Sequence, residues 1–314
     1  MAERRFHVIF NPNAGMALAS GLTTDRLRAL FGAAGLTFEI DDDETLPMAD
    51  RVARAMEGSS GVVVAGGGDG TVLAVAEAVA GTDKALGILP LGTMNALARD
   101  LGLPLDLEGA ISALASSEPR AIDLAEVNGQ PFLHNVIIGL VPSIAIGREH
   151  IRGKGLVQKL GFVRFMLRRF ARARRIALAL RPDGEDARIE RLQTLVVANN
   201  SYEQRFGTIM SRRRLDRGSL TVYLIRSLRL ADAVRLAAEM LWGTWQEDEV
   251  IEFERVRSLD VDGKRKRVLA TMDGEVLHLD LPLRFGVRPK SLQVLAPVET
   301  PPPAARDQVE AQPV

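Results

Sequence analysis

The feature that most constrains this chain is a short, wholly apolar run that ends on glycines. Val62-Val63-Val64-Ala65 leads directly into Gly66-Gly67-Gly68-Asp69-Gly70-Thr71, and a helical pattern begins at once. A strand with no polar residue on either side must be covered on both faces, as in parallel sheets flanked by helices. The neighbouring segments repeat the theme. Strand patterns at 5–10, 36–40, 62–64 and 85–89 alternate with helical patterns at 24–33, 48–56, 71–79 and 93–101. This alternation predicts an open, largely parallel sheet with helices on both sides.

Beyond residue 121 the pattern changes. Runs at 121–127 and 132–138 flank Asn128-Gly129, a strong hairpin pair, and strand-like runs recur at 176–180, 194–198, 220–225, 251–256, 268–272, 276–281 and 292–296. Pro182-Asp183-Gly184 and Asp262-Gly263 supply turns, and helical patterns interrupt at 154–174 and 229–242. The expected fold class is α/β plus β. An α/β domain covers 1–122. A β-sandwich covers 123–298, its last strand free to return to the first domain. A Pro-rich disordered tail covers 299–314.

Three glycine-bearing turns follow strands of the first half: Asn11-Pro12-Asn13-Ala14-Gly15, Gly66 through Thr71, and Leu91-Gly92-Thr93-Met94-Asn95. In an open parallel sheet all three emerge at the carboxyl edge of the strands, where ligands bind. Glycines let backbone N–H groups approach an anion, and helix amino termini add positive potential. Read singly, each turn is equally well a tight strand-to-helix connection. Together they suit phosphate. Asp69 among phosphates is repelled unless Mg2+ bridges the two. The chain has no G-x-x-x-x-G-K-[ST], and Gly66–Gly70 does not fit G-x-G-x-x-G because Thr71 stands three after Gly68. A hydride-transferring dinucleotide enzyme is thereby disfavoured.

Composition closes other routes. Lys+Arg and Asp+Glu both number 40, so no nucleic-acid partner is expected, and the absence of cysteine excludes disulfides, thiolate metal sites and cysteine nucleophiles. The longest stretch free of charged residues, 127–147, contains Asn128, Gln130, Pro131, His134, Asn135 and Pro142, too polar to span a bilayer. The amino terminus lacks the long apolar run of a signal peptide. A cytoplasmic location follows as an expectation.

GGGDGT followed by PLGTMNALARDLGLP, after the opening NPNAG, resembles the catalytic domain of the diacylglycerol kinase and sphingosine kinase superfamily, its soluble bacterial lipid kinases above all. The resemblance spans the chain to about Pro297. It implies an amino-terminal domain of the NAD kinase and phosphofructokinase type, a carboxy-terminal β-sandwich, ATP with Mg2+, and a lipid acceptor, diacylglycerol first. ATP is then assigned to Asn11, Pro12, Asn13, Ala14, Gly15, Gly67, Gly68, Asp69, Gly70, Thr71, Thr93 and Asn95. Ala96 and Leu97 replace the family's frequent Asp-Phe.

Thr271-Met272-Asp273-Gly274-Glu275 reads from its residues as a hairpin turn, Asp-Gly being a preferred pair. The resemblance implies more. Glu275 becomes the base that takes the lipid hydroxyl proton, with Asp273 and Asp69 in the metal and phosphate network. Glu275 and Asp69 are about two hundred positions apart and must meet across an interdomain cleft. A structural Mg2+ motif of the family is matched by Leu215-Asp216-Arg217-Gly218, where Arg217 replaces an acid; Asp216 is its metal candidate. Asn199-Asn200-Ser201-Tyr202 resembles another family segment but lacks the glycines that follow it.

Residues 148–175 hold ten Lys/Arg against one acid, with Leu156, Leu160, Val163, Leu167 and Phe170 at helical spacing. Such a helix suits an anionic membrane surface, or simply packs its apolar face on the sandwich. Peripheral attachment to the inner face of the membrane follows from the first reading, and a homodimer is compatible with either.

Overall fold

In a computed structural model of the chain, residues 4–140, 142, 174–203, 211–242 and 244–298 are described. The basic stretch 148–175, apart from Arg174 and Arg175, and the whole of the tail 299–314 lie outside them. Strands β1 (Arg5–Phe10), β2 (Thr37–Asp41), β3 (Val62–Gly67) and β4 (Ala85–Pro90) form a parallel sheet in the order β2-β1-β3-β4. β3 and β4 are buried along their whole length, as their unbroken apolar runs require. One face carries helix α4 (Asp69–Val79), with Val72, Val75 and Val79 in the core, and helix α3 (Met48–Glu57). The other face carries α2 (Thr24–Ala33) and α6 (Leu107–Ser116), through Leu27, Phe31, Ile111 and Leu114.

Two helices were not expected: α1 (Gly15–Ser20), a short turn after the first loop, and α6. Asp106 caps α6 by accepting from the Gly109 N–H at 2.7 Å, a signal present in the sequence. The helix expected over 93–101 is only α5 (Ala96–Asp100), because Asn95 takes a left-handed φ of 49° and holds 93–95 in a turn.

The second half forms two packed sheets. One has the order β12-β11-β10-β7-β14-β15 and is antiparallel: β7 (Asn135–Gly139), β10 (Thr194–Asn199), β11 (Leu220–Ile225), β12 (Glu252–Val256), β14 (Arg267–Met272) and β15 (Glu275–Asp280). The other continues the parallel sheet through β16 (Leu283–Ala296), β13 (Ser258–Gly263), β8 (Ile176–Pro182) and β9 (Arg188–Leu192), with β5 (Glu118–Val127) and β6 (Gln130–Phe132) branching from β16. The last helix, α7 (Leu230–Trp242), packs Leu236 beside Tyr202, Tyr223 and Trp245.

The long strand β16 joins the halves. Val294 pairs in parallel with Leu86 of β4, while the strand pairs antiparallel with β5 and β13. The single strand expected over 132–138 is broken into β6 and β7, which belong to different sheets. Asn128 and Gly129, both at positive φ, turn β5 into β6 as their pairing predicts. Asp262-Gly263 instead continues β13, and β9 and β13 were not anticipated.

Phe132 fills the sandwich core, edge-on to Phe285 with ring centroids 6.3 Å apart. Phe132→Ala is expected to destabilise the protein by about 3–5 kcal/mol, read as a lowered denaturant midpoint with the other sheet contacts intact.

Candidate active site

Because β1, β3 and β4 are parallel and adjacent, their carboxyl ends open on one edge. The three glycine turns interlock there. Asn11 donates its N–H to Gly66 O at 2.8 Å, Leu91 donates to Gly67 O at 3.0 Å, and Met16 donates to Leu91 O at 2.8 Å. Arg51, on the buried face of α3, donates to the last carbonyl of β1, Phe10 O, at 2.8 Å and to Asp41 Oδ1 at 2.9 Å.

Close approach explains the glycines. A Cβ on Gly92 would lie 2.6 Å from Gly68 Cα, one on Gly67 would lie 2.4 Å from Thr71 Oγ1, and one on Gly15 would lie 2.8 Å from Thr93 Oγ1. The second and third turns therefore touch backbone to backbone, at Gly68 and Gly92, and leave a cradle of main chain over the start of α4. Gly68, at the N-cap of α4, offers no side chain to its first amides. Those amides, with the positive end of the helix, are available to an anion.

Asp69 opens α4 but turns away from it. Its carboxylate accepts from Asn95 N–H at 3.1 Å and Ala96 N–H at 2.8 Å, the amides that start α5. The sequence reading placed Asp69 among phosphates and metal alone; the structure also gives it a partner in the adjoining helix terminus. Two of its acceptor positions are spent so, which leaves capacity for a further contact. Asn95, read as a nucleotide contact, spends its amide inside its own turn: Oδ1 accepts from Gly92 N–H at 2.8 Å, and Nδ2 donates to Pro90 O and Gly92 O. It shapes the turn. Asn11 likewise accepts from Asn13 N–H at 3.0 Å, and Asn13 Nδ2 reaches Glu44 at 2.6 Å. Thr93 and Gly15 are exposed on the rim, and Thr71 is buried beneath.

The β14–β15 hairpin reaches this edge from the sandwich. Asp273 and Gly274, at φ 48° and 90°, form its turn, and Glu275 follows opposite Met272. Glu275 Oε1 lies 3.5 Å from where a Cβ on Gly70 would stand. Glu275 thus stands beside Gly70, the residue next to Asp69. Asp273 has a different task from the metal network read for it. Its oxygens accept from Leu133, His134 and Asn135 N–H groups at 2.6, 2.8 and 3.0 Å, the turn that separates β6 from β7. Burial pushes its carboxyl up, against the opposing pull of those three amides.

Asp216 sits on the surface beside Arg214, 3.2 Å away, in a groove with Glu118 and Arg120. Its motif is organised by Asp123 instead, which accepts from Gly218 N–H at 2.6 Å, Lys290 N–H at 2.8 Å and Asn200 Nδ2 at 3.1 Å. Among the described residues no group of three or more His, Asp or Glu side chains is placed to hold a metal ion. Asp216 and Asp69 are therefore not brought into a protein-built metal shell. A triphosphate brings oxygen ligands of its own, and Mg2+ is ordinarily held by these with one or two carboxylates. Asp69, with acceptor capacity left over, fits that requirement.

Sequence reasoning missed a buried cluster beneath the hairpin. Arg212 pairs with Asp100 at 2.6 Å, and its guanidinium donates to His134 Nδ1. No local motif announces it, since Arg212 and Asp100 are 112 positions apart. Burial, reinforced by the Arg212 charge, holds the His134 ring well below the ordinary imidazole value. His7 on β1 is lowered by its burial as well. An unfolded chain takes up these two protons near pH 6.5, where a free imidazole titrates, and the folded one resists. Stability is therefore full above that pH and falls as the pH drops below it. Thermal unfolding followed from about pH 7.5 to about pH 5 should show a falling midpoint, and the fall should be smaller in His134→Gln.

Comparison with known proteins identifies the two halves of the chain. Residues 5–127 match the diacylglycerol kinase catalytic domain, and residues 145–296 match the YegS C-terminal NAD kinase beta sandwich-like domain. A YegS-like lipid kinase of Pseudomonas aeruginosa is 32% identical over 80% of this chain and 81% of its own. A diacylglycerol kinase of Bacillus subtilis is 27% identical over 94% and 97%. A solved diacylglycerol kinase from Bacillus anthracis superposes with a TM-score of 0.64 at 17% identity, covering 94% of this chain and 97% of that one, which speaks for the fold. No helix among the described residues is long and apolar enough to cross a membrane. The chain therefore belongs to the lipid kinase family built from a diacylglycerol kinase catalytic domain and a YegS-type β-sandwich, and it is a lipid kinase.

Proposed function

We propose that this kinase transfers the γ-phosphate of ATP to the free hydroxyl of diacylglycerol, giving phosphatidic acid, at the inner face of a membrane. The observation that carries the reading is the approach of Glu275 Oε1 to Gly70 across the two halves of the chain. Main-chain amides at the start of α4 hold the phosphates. Glu275, exposed at the head of β15, accepts the proton of the lipid hydroxyl as its oxygen bonds to the γ-phosphorus. The bond from that phosphorus to the bridging oxygen breaks, and ADP leaves with its electron pair. Mg2+ bound with the triphosphate would supply charge neutralisation, and Asp69 is the carboxylate that would hold it, which leaves Glu275 free to act as the base.

A lipid acceptor is supported by a cavity of about 620 Å3 between the two sheets, lined by Leu140, Ile176, Leu178, Val268, Leu269 and Leu281. Val268 stands four residues, roughly 13 Å, before Met272, the residue of β14 paired with Glu275 of β15. Arg174, Arg175, Lys264 and Arg265 rim the same cavity and suit an anionic surface, as the 148–175 stretch does. That the Bacillus subtilis relative is named a diacylglycerol kinase supports diacylglycerol as the acceptor. Sphingoid bases, ceramide and phosphatidylglycerol carry the same reacting hydroxyl. No nucleic acid enters this reading, and a homodimer is compatible with it.

A second reading, a nucleotide kinase acting on NAD, draws on the NAD kinase-like description of the sandwich. It gives the apolar cavity no task. Labelled ATP offered to diacylglycerol vesicles and to NAD separates the two: label is expected in phosphatidic acid, and label in NADP would sink the lipid reading.

Two variants test the site. Glu275→Gln should lower kcat by about a hundredfold or more while nucleotide still binds. In Gly70→Ala the new methyl meets Glu275 only at ordinary contact distance. It should leave the melting temperature unchanged and still abolish transfer, because it fills the space between base and phosphate.

A further inference from the structure

Arg212 lies outside every motif and is among the most deeply enclosed side chains of the protein, its side chain wholly shielded from solvent. A guanidinium has five N–H bonds, and here each has an acceptor. Nε and Nη2 donate to Asp100 Oδ2 at 2.9 and 2.6 Å, and Nη2 also donates to His134 Nδ1 at 2.6 Å. Nη1 donates to Leu133 O and Asn199 O, both at 2.7 Å. The Arg212 backbone N–H adds Asp100 Oδ1 at 2.9 Å. Because a guanidinium only donates, His134 Nδ1 accepts and its ring stays neutral.

The two ends of this cluster lead to the two sides of the reaction. Asp100 closes α5, whose first amides hold Asp69 beside Gly70. Leu133 and His134 open the turn whose amides hold Asp273, two residues before Glu275. Arg212 joins these ends. The halves of the chain do not need it to stay attached, since β16 runs through both as one strand and Leu133, Leu215 and Leu292 share the core of the first domain. What β16 leaves open is the height of the hairpin over the turn.

We infer that Arg212, paired with Asp100, is a positioning residue for phosphoryl transfer: it sets Glu275 against the Gly70 turn. The inference rests on Glu275 being the base. Its planar fork matters as much as its charge, because an ammonium presents all its donors from one atom and cannot span Asp100 and the two carbonyls together.

The test uses Arg212→Lys in the intact chain, which keeps the charge opposite Asp100. ATP binding, kcat on diacylglycerol vesicles, the pH profile of kcat and the melting temperature are measured together. ATP affinity is expected within about threefold of wild type and kcat lowered about tenfold or more, with the acid limb of the profile displaced as the base loses its setting. A folded variant with unchanged kcat and pH profile, whatever its melting temperature, overturns the inference and leaves Arg212 a purely stabilising group. If Arg212→Lys fails to fold, Asp100→Asn, which keeps the shape and one acceptor oxygen, is read by the same two outcomes. Glu275→Gln in the same assay separates the two ideas. Full activity there removes the base itself, whereas an inactive Glu275→Gln beside a fully active Arg212→Lys removes only the positioning role.

Discussion

Carboxylates that gather backbone amides from distant parts of the chain hold this site together. Asp69 binds the start of α5, Asp273 binds the turn at 133–135, and Asp123 binds Gly218 and Lys290. A charged acceptor makes a shorter and stronger hydrogen bond than a neutral one, and a buried amide without a partner is costly. Each aspartate therefore fixes a loop that has no regular structure of its own. With Arg212 as the link between two of them, the irregular segments around the cleft become one connected body.

The division of labour follows from this frame. Glycines supply close backbone approach: Gly92 packs on Gly68 so tightly that no side chain fits between. The macrodipole of α4 supplies positive potential, and because Asp69 bonds to the first amides of α5 it leaves those of α4 open. The sandwich supplies one exposed carboxylate, Glu275, on a hairpin whose turn is pinned from below. Chemistry of phosphoryl transfer asks for placement more than for reactive groups, and nearly every bond at this edge is a placing bond.

Much of the fold was legible because its signals are local. The apolar runs of β3 and β4 and the Asn128-Gly129 and Asp273-Gly274 turns are each decided by a few adjacent residues. The errors fell where distant contacts override local preference. The run at 132–138 looks like one strand, yet Asp273 takes its amides at 133–135 and splits it between two sheets. The pattern at 93–101 looks helical throughout, yet Asn95 is held in a left-handed turn and α5 starts at the residue after it, where Asp69 binds.

By itself the sequence determined the parallel sheet, its three glycine turns and the identity of the residues that tip the hairpin, because strand burial and turn geometry depend on neighbours one to four positions away. Only the tertiary structure decided which acids face the cleft. Asp69, Asp273 and Asp216 are the same residue type in similar glycine-bearing contexts, and they end as a helix anchor, a hairpin anchor and a surface ion pair. That outcome depends on which amides and cations lie within 3 Å or so of each carboxylate after folding, and these partners come from 2 to 140 positions away. No local pattern encodes such a distance.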